Sequence, residues 1–195
     1  MLKKLPNVLT LLRVILIPVF VYLIHFEYFF AAGVLFIFAS LTDYLDGYLA
    51  RKYKVITDFG KLMDPLADKI LVMAALIMLV GQRHSLTGEP WIPAWMVVMI
   101  IAREVWVTGI RGVASTYGMV LPADATGKIK SFLQMFAVSF IIFYDVVLFT
   151  LSGVSITAGF IGERLLLVSI VFSYWGAVNY TAIVFSNKKM SLFNQ

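Results

Sequence analysis

Cysteine is absent from this 195-residue chain. That excludes a disulfide framework, a thiolate metal site and a cysteine nucleophile. Histidine is nearly absent, with only His25 and His84, so imidazole-rich chemistry is not expected. Charge is scarce: Asp, Glu, Lys and Arg make up 14% of the residues, against about 25% in soluble domains. No G-x-x-x-x-G-K-[ST] loop occurs, which argues against an ATP site. There is no internal repeat and no low-complexity segment. What fills the chain is apolar. Hydrophobic residues reach 61% and the mean hydropathy is +0.91. Such a composition excludes a water-soluble globular domain and a disordered chain, and leaves an integral membrane protein.

A helix needs about 20 mostly apolar residues to cross the hydrocarbon core. Six segments qualify: Val8–Phe26, Phe29–Ala50, Gly60–Val80, Trp91–Ser115, Ile129–Leu151 and Leu165–Phe185. The expected architecture is all-α, a bundle of six transmembrane helices forming one membrane-embedded domain over residues 1–195. The N-terminal segment imitates a signal peptide, but its apolar run is long enough to span and no A-x-A site follows, so it reads as the first membrane helix.

Lys and Arg set the orientation. Lys3, Lys4 and Arg13 lie near the N-terminus, and Arg51, Lys52, Lys54 and Lys61 between the second and third spans. Arg111, Lys128 and Lys130 surround the fourth loop, and Lys188 and Lys189 lie in the tail. The opposite side holds only Arg83 and Arg164. Both termini are therefore expected in the cytoplasm. Trp91 and Trp95 read as interface anchors on the outer side. The net charge of +5 suits anionic lipid head groups better than nucleic acid, for which no basic surface domain exists.

Five of the eleven acidic residues fall between Asp43 and Asp68. Asp43 and Asp46 are three apart at the end of the second span, and Asp64 and Asp68 four apart at the start of the third. Those spacings place each pair on one helix face. A charge deep in the bilayer costs about 2.5–3.5 kcal/mol on insertion scales, so such residues are rare and usually functional. Four carboxylates this close need protons or divalent cations to offset their repulsion. An all-oxygen set suits Mg²⁺, Mn²⁺ or Ca²⁺, and two such metals form the usual clamp for displacement at phosphorus. Asp64 before Pro65 also fits a helix N-cap with proline at the first helical position. Asp58 reads as a solvated loop residue. Gly47 and Ala50 share the stripe of the first pair, Gly60 that of the second, and Arg51 can grip a phosphate bidentately. Arg103 is well inside the fourth span, where an unpaired cation is costly. Arg111 lies eight residues on, and Lys128 and Lys130 open the next helix on the same side. The role of Glu104 stays open.

Written out, the segment is Asp43-x₂-Asp46-Gly47-x₂-Ala50-Arg51-x₈-Gly60-x₃-Asp64-x₃-Asp68. It resembles the complete signature of the CDP-alcohol phosphotransferase family at all eight fixed positions. At about 5–8% per residue, a chance match is on the order of 10⁻¹⁰ per start position. The resemblance implies six membrane helices, usually as a homodimer, in the bacterial cytoplasmic membrane. It implies that Asp43, Asp46, Asp64 and Asp68 ligate Mg²⁺ or Mn²⁺, two per site, and that Asp68 is also the general base. Gly47, Ala50, Arg51 and Gly60 would hold the cytidine nucleotide.

Softer likenesses lie in Leu5–Arg13, Asp64–Lys69, Ala102-Arg103-Glu104, Arg111 and Thr126–Lys130. These resemble the branch of the family that makes phosphatidylglycerol phosphate in bacteria. The implied substrates are CDP-diacylglycerol and sn-glycerol 3-phosphate, with Arg103, Arg111, Lys128 and Lys130 around the acceptor phosphate. A cardiolipin synthase with another acceptor is the alternative within the family. A cation transporter is the alternative of another class, although no chain of polar groups reaches the far side. The basic loop predicts sidedness. A cysteine placed at Lys54 is expected to react with an impermeant thiol reagent only in inside-out vesicles, and labelling from the outer face would overturn the topology.

Overall fold

The computed structural model describes residues 5–53, 58–84, 88–117, 125–151 and 154–193. Six helices follow one another: α1 (Leu5–His25), α2 (Phe29–Tyr53), α3 (Asp58–Val80), α4 (Ala94–Thr116), α5 (Ala125–Ile142) and α6 (Ala158–Phe193). A hairpin of β1 (Val147–Leu151) and β2 (Val154–Thr157) lies between the last two helices. The first four helices match the expected spans to within a few residues. The fifth does not: its helix stops at Ile142, and the stretch expected to continue it to Leu151 becomes β1. The chain is otherwise helical, with six helices as expected, and this hairpin is the one sheet among the described residues. Hydropathy cannot separate a short apolar strand from the end of an apolar helix. Here the strand wins because a partner is at hand: Phe149 pairs with Ile156, Thr150 with Ser155 and Leu151 with Val154. α6 is longer than expected, at 36 residues.

α1 packs against both α2 and α3, and those two helices also share α5 as a neighbour. α4 lies on α6, and α5 and α6 form the most extensive pair. One core joins them, with Phe20 and Ile24 from α1, Phe36 from α2, Leu76 from α3, Ile100 from α4 and Ile141 from α5. The turn from α1 to α2 closes by a Schellman pattern: the Tyr28 N–H reaches Leu23 O, and the Glu27 N–H reaches Ile24 O. Glu27 takes the left-handed position, at φ 60°.

The surface is apolar where a soluble protein would be polar. Phe30, Val105, Val171, Trp175 and Phe185 are all more than 60% exposed. Among the described residues, Ala158–Ser186 is the one segment long and apolar enough by itself to cross a membrane. Trp91 corrects an expectation. It is 5% exposed and stacks on Tyr144 with ring centroids 5.3 Å apart, so it belongs to the core and is no lipid-facing anchor. Trp95 is exposed. Beside this stack His84 Nε2 lies 3.2 Å from Asp145 Oδ1 and ties the α3–α4 connection to the approach of the hairpin.

Close approach of α5 and α6 depends on Gly162. A Cβ there would lie 2.8 Å from Ala137 O and 2.6 Å from Ile141 Cγ1. The Gly162→Ala variant is therefore expected to lose about 1–3 kcal/mol by overpacking, seen as a lower Tm in detergent. Gly112 has open space around its Cβ position, and Gly112→Ala should keep or raise the Tm. Equal Tm values for the two variants would refute the close-packing account.

Candidate active site

The eight motif residues are distributed over two consecutive helices, both of which pack against α1 and α5. Asp43, Asp46, Gly47, Ala50 and Arg51 belong to α2, and Gly60, Asp64 and Asp68 to α3. Their side chains lie outside the described residues. The backbone still corrects two readings. α3 starts at Asp58, so Asp58 opens a helix and does not sit in the loop. Asp64-Pro65 then falls inside that helix and does not cap it. Proline in a helix interior removes one backbone hydrogen bond.

One residue past Asp68, α3 presents Lys69. Its Nζ is 3.5 Å from Glu104 Oε2 on α4 and donates to Thr108 Oγ1 at 3.3 Å. Glu104 is 5% exposed and takes two more cations on its other oxygen. Arg103 Nη1 donates to Oε1 at 2.9 Å, and Lys130 Nζ from α5 donates to the same atom. Arg103 is itself 5% exposed, and its Nε donates to the backbone carbonyl of Ser173 on α6 at 2.8 Å. One carboxylate thus gathers cations from three helices, and the fourth helix is held by its carbonyl. Formal charges in this cluster, counted over the described side chains, are three positive and one negative. On α5 and α6, buried Gln134 Nε2 and Ser173 Oγ have no hydrogen-bond partner among the described residues.

Of the four cations expected around an anion, Arg103 and Lys130 are brought together. Arg111 is not. It lies two turns farther along α4, about 12 Å by helix rise, and its guanidinium sits 5.3 Å from the centroid of the Tyr180 ring. Its Nη2 also donates to Tyr180 Oη at 3.3 Å. Lys128 is exposed. A groove of about 550 Å³ runs between α4 and α6, with apolar walls such as Ala177 and Val178 and with Arg103 in its lining.

Residues 3–183 match the family described as CDP-alcohol phosphatidyltransferase. The chain belongs to the CDP-alcohol phosphatidyltransferase family. Individual relatives agree. It is 45% identical over 157 residues to a CDP-diacylglycerol--glycerol-3-phosphate 3-phosphatidyltransferase of Bacillus subtilis, covering 73% of this chain and 78% of that one. It is 41% identical over 143 residues to a protein of the same name from Rickettsia typhi, covering 72% and 76%. A probable phosphatidylglycerophosphate synthase of Mycobacterium tuberculosis is 40% identical over 142 residues, covering 69% and 64%.

Two buried features near the motif-bearing helices were not evident in the sequence. Lys69 and Glu104 are ordinary neighbours of motif residues until tertiary packing joins them; a carboxylate within a span was the available signal. Arg13, counted as a topological charge, is 1% exposed within α1, the helix that packs on both motif-bearing helices.

Proposed function

We propose that this CDP-alcohol phosphatidyltransferase moves the phosphatidyl group of CDP-diacylglycerol to sn-glycerol 3-phosphate, giving phosphatidylglycerol phosphate and CMP. The names of its relatives support this acceptor. The observation that carries it is the buried cation cluster one residue from Asp68. Counted over the described side chains, the cluster carries two formal positive charges in excess, which calls for an anion, and a phosphate monoester is a dianion. Free donors support the same reading. Arg103 has five N–H groups and Lys130 three, and described partners use only some of them.

Asp43, Asp46, Asp64 and Asp68 fit divalent metal by their chemistry: four hard oxygen donors, paired at helical spacing, in the halves of α2 and α3 nearest their short connection. Among the described residues no other group of three His, Cys, Asp or Glu could serve. Bound there, Mg²⁺ or Mn²⁺ would supply charge stabilisation to the pyrophosphate and the departing CMP. The chain's own residues do the rest. Gly47, Ala50 and Gly60 leave room for the nucleotide along α2 and α3, and Arg51 pairs with a donor phosphate. Arg103 and Lys130 seat the acceptor's phosphate. Asp68 accepts the proton of the acceptor's primary hydroxyl as its oxygen attacks the lipid-proximal phosphorus. The bond from that phosphorus to CMP breaks, and no covalent enzyme intermediate forms. Six spans in the cytoplasmic membrane, both termini inside, a single domain and a homodimer complete the reading, supported by the apolar outer surface.

An acceptor screen tests the reaction. CMP release from CDP-diacylglycerol is expected with glycerol 3-phosphate and not with phosphatidylglycerol; the reverse would identify a cardiolipin synthase. EDTA is expected to abolish turnover and Mg²⁺ or Mn²⁺ to restore it, and full activity without metal would sink the metal assignment. Arg103→Ala should raise the acceptor KM roughly 10- to 150-fold, from the loss of about 1.5–3 kcal/mol for a hydrogen bond to a charged group. Arg111→Ala should change it much less, because Tyr180 already engages that guanidinium. Asp68→Asn should lose kcat while still binding donor. Steady-state kinetics in both substrates checks all three variants.

A further inference from the structure

Glu104 is the one member of the cation cluster with the wrong charge for an anion site. A carboxylate repels a phosphate, yet this one is buried among the groups proposed to seat it. Its geometry explains its presence. Arg103 and Lys130 converge on Oε1 from α4 and α5, and Lys69 approaches Oε2 from α3. Without a shared counter-charge, the two buried cations and the partly exposed Lys69 beside them drive one another apart. With it, two of them are held against one oxygen atom, while their remaining N–H groups stay available. The third contact has a different consequence. Lys69 is covalently adjacent to Asp68, so their Cα atoms are about 3.8 Å apart. A contact from Glu104 to Lys69 therefore sets the level of α4 and α5 against the helix that bears the base.

We propose that Glu104 is a positioning residue of the acceptor site. It holds Arg103 and Lys130 at the spacing of a phosphate dianion and, through Lys69, registers that pair against Asp68. This rests on the acceptor-phosphate reading of Arg103 and Lys130. Only a carboxylate at this reach serves. A glutamine keeps the length but turns an NH₂ donor toward cations. An aspartate keeps the charge but draws it back by one methylene.

The test uses the full chain in vesicles, with kinetics in both substrates and inorganic phosphate as a competing anion. Glu104→Gln is expected to raise the glycerol 3-phosphate KM at least tenfold and weaken inhibition by phosphate in parallel. Its KM for CDP-diacylglycerol should stay within twofold. Glu104→Asp should recover part of the loss. A merely structural role would instead impair both substrates alike, whatever the change in Tm, and that result would overturn the proposal. Should Glu104→Gln fail to fold, Glu104→Asp decides: an unchanged acceptor KM refutes positioning, and a selective rise supports it. Arg103→Ala and Lys130→Met separate the two readings. If neither moves the acceptor KM, the phosphate site is elsewhere and the positioning role falls with it. If both raise it while the Glu104 variants do not, the site stands and only the positioning role fails.

Discussion

A single buried carboxylate sets the terms for the interior of this protein. Like charges 4 Å apart repel by about 4 kcal/mol even at an effective dielectric near 20. Arg103, Lys130 and Lys69 can share one space only because Glu104 sits among them. Removing one partner from a buried pair typically costs about 3–5 kcal/mol. The arrangement therefore constrains far more than one side chain. It fixes α3, α4 and α5 to a common level, and the Arg103 bond to the Ser173 carbonyl adds α6. Apolar packing alone leaves helices free to slide by small amounts. Directional contacts between charged groups do not.

The two ends of the bundle are built on different physics. Toward the start of α3 the described packing is polar: Glu104 meets Lys69, Arg103 and Lys130. At the other end it is aromatic. Phe29 and Tyr144 both contact Trp91, and the His84–Asp145 pair closes the edge. Gly162 sits along α6, where α5 comes too near for any side chain. Charge pairing holds the helices at one end, and ring stacking and close backbone approach hold them at the other.

Much of this was legible in the sequence. Long apolar runs predict six helices, and Asp43, Asp46, Asp64 and Asp68 do fall on the second and third of them. Arg103 stood out because a cation within a span needs a reason. What escaped was whatever depends on distant partners. Lys130 is 26 residues from Glu104, and Ser173 is 70 from Arg103. No local pattern encodes such meetings. The end of α5 was misjudged because Val147–Leu151 is as apolar as a helix, and its strand character comes from pairing with Val154–Thr157. Trp91 was misjudged because a tryptophan near a helix end suits an interface as well as a core. Arg111 and Lys128 shared the sequence pattern of Arg103 and Lys130, and only burial tells the two sets apart.

The length of α6 carries one more consequence. At 36 residues it extends about 54 Å, well beyond a hydrocarbon core of about 30 Å. Its apolar stretch, Ala158–Ser186, is the part that suits such a core. The Ser173 carbonyl that holds Arg103 lies within that stretch, so the guanidinium is tied to the backbone of a long helix and not to a connecting loop.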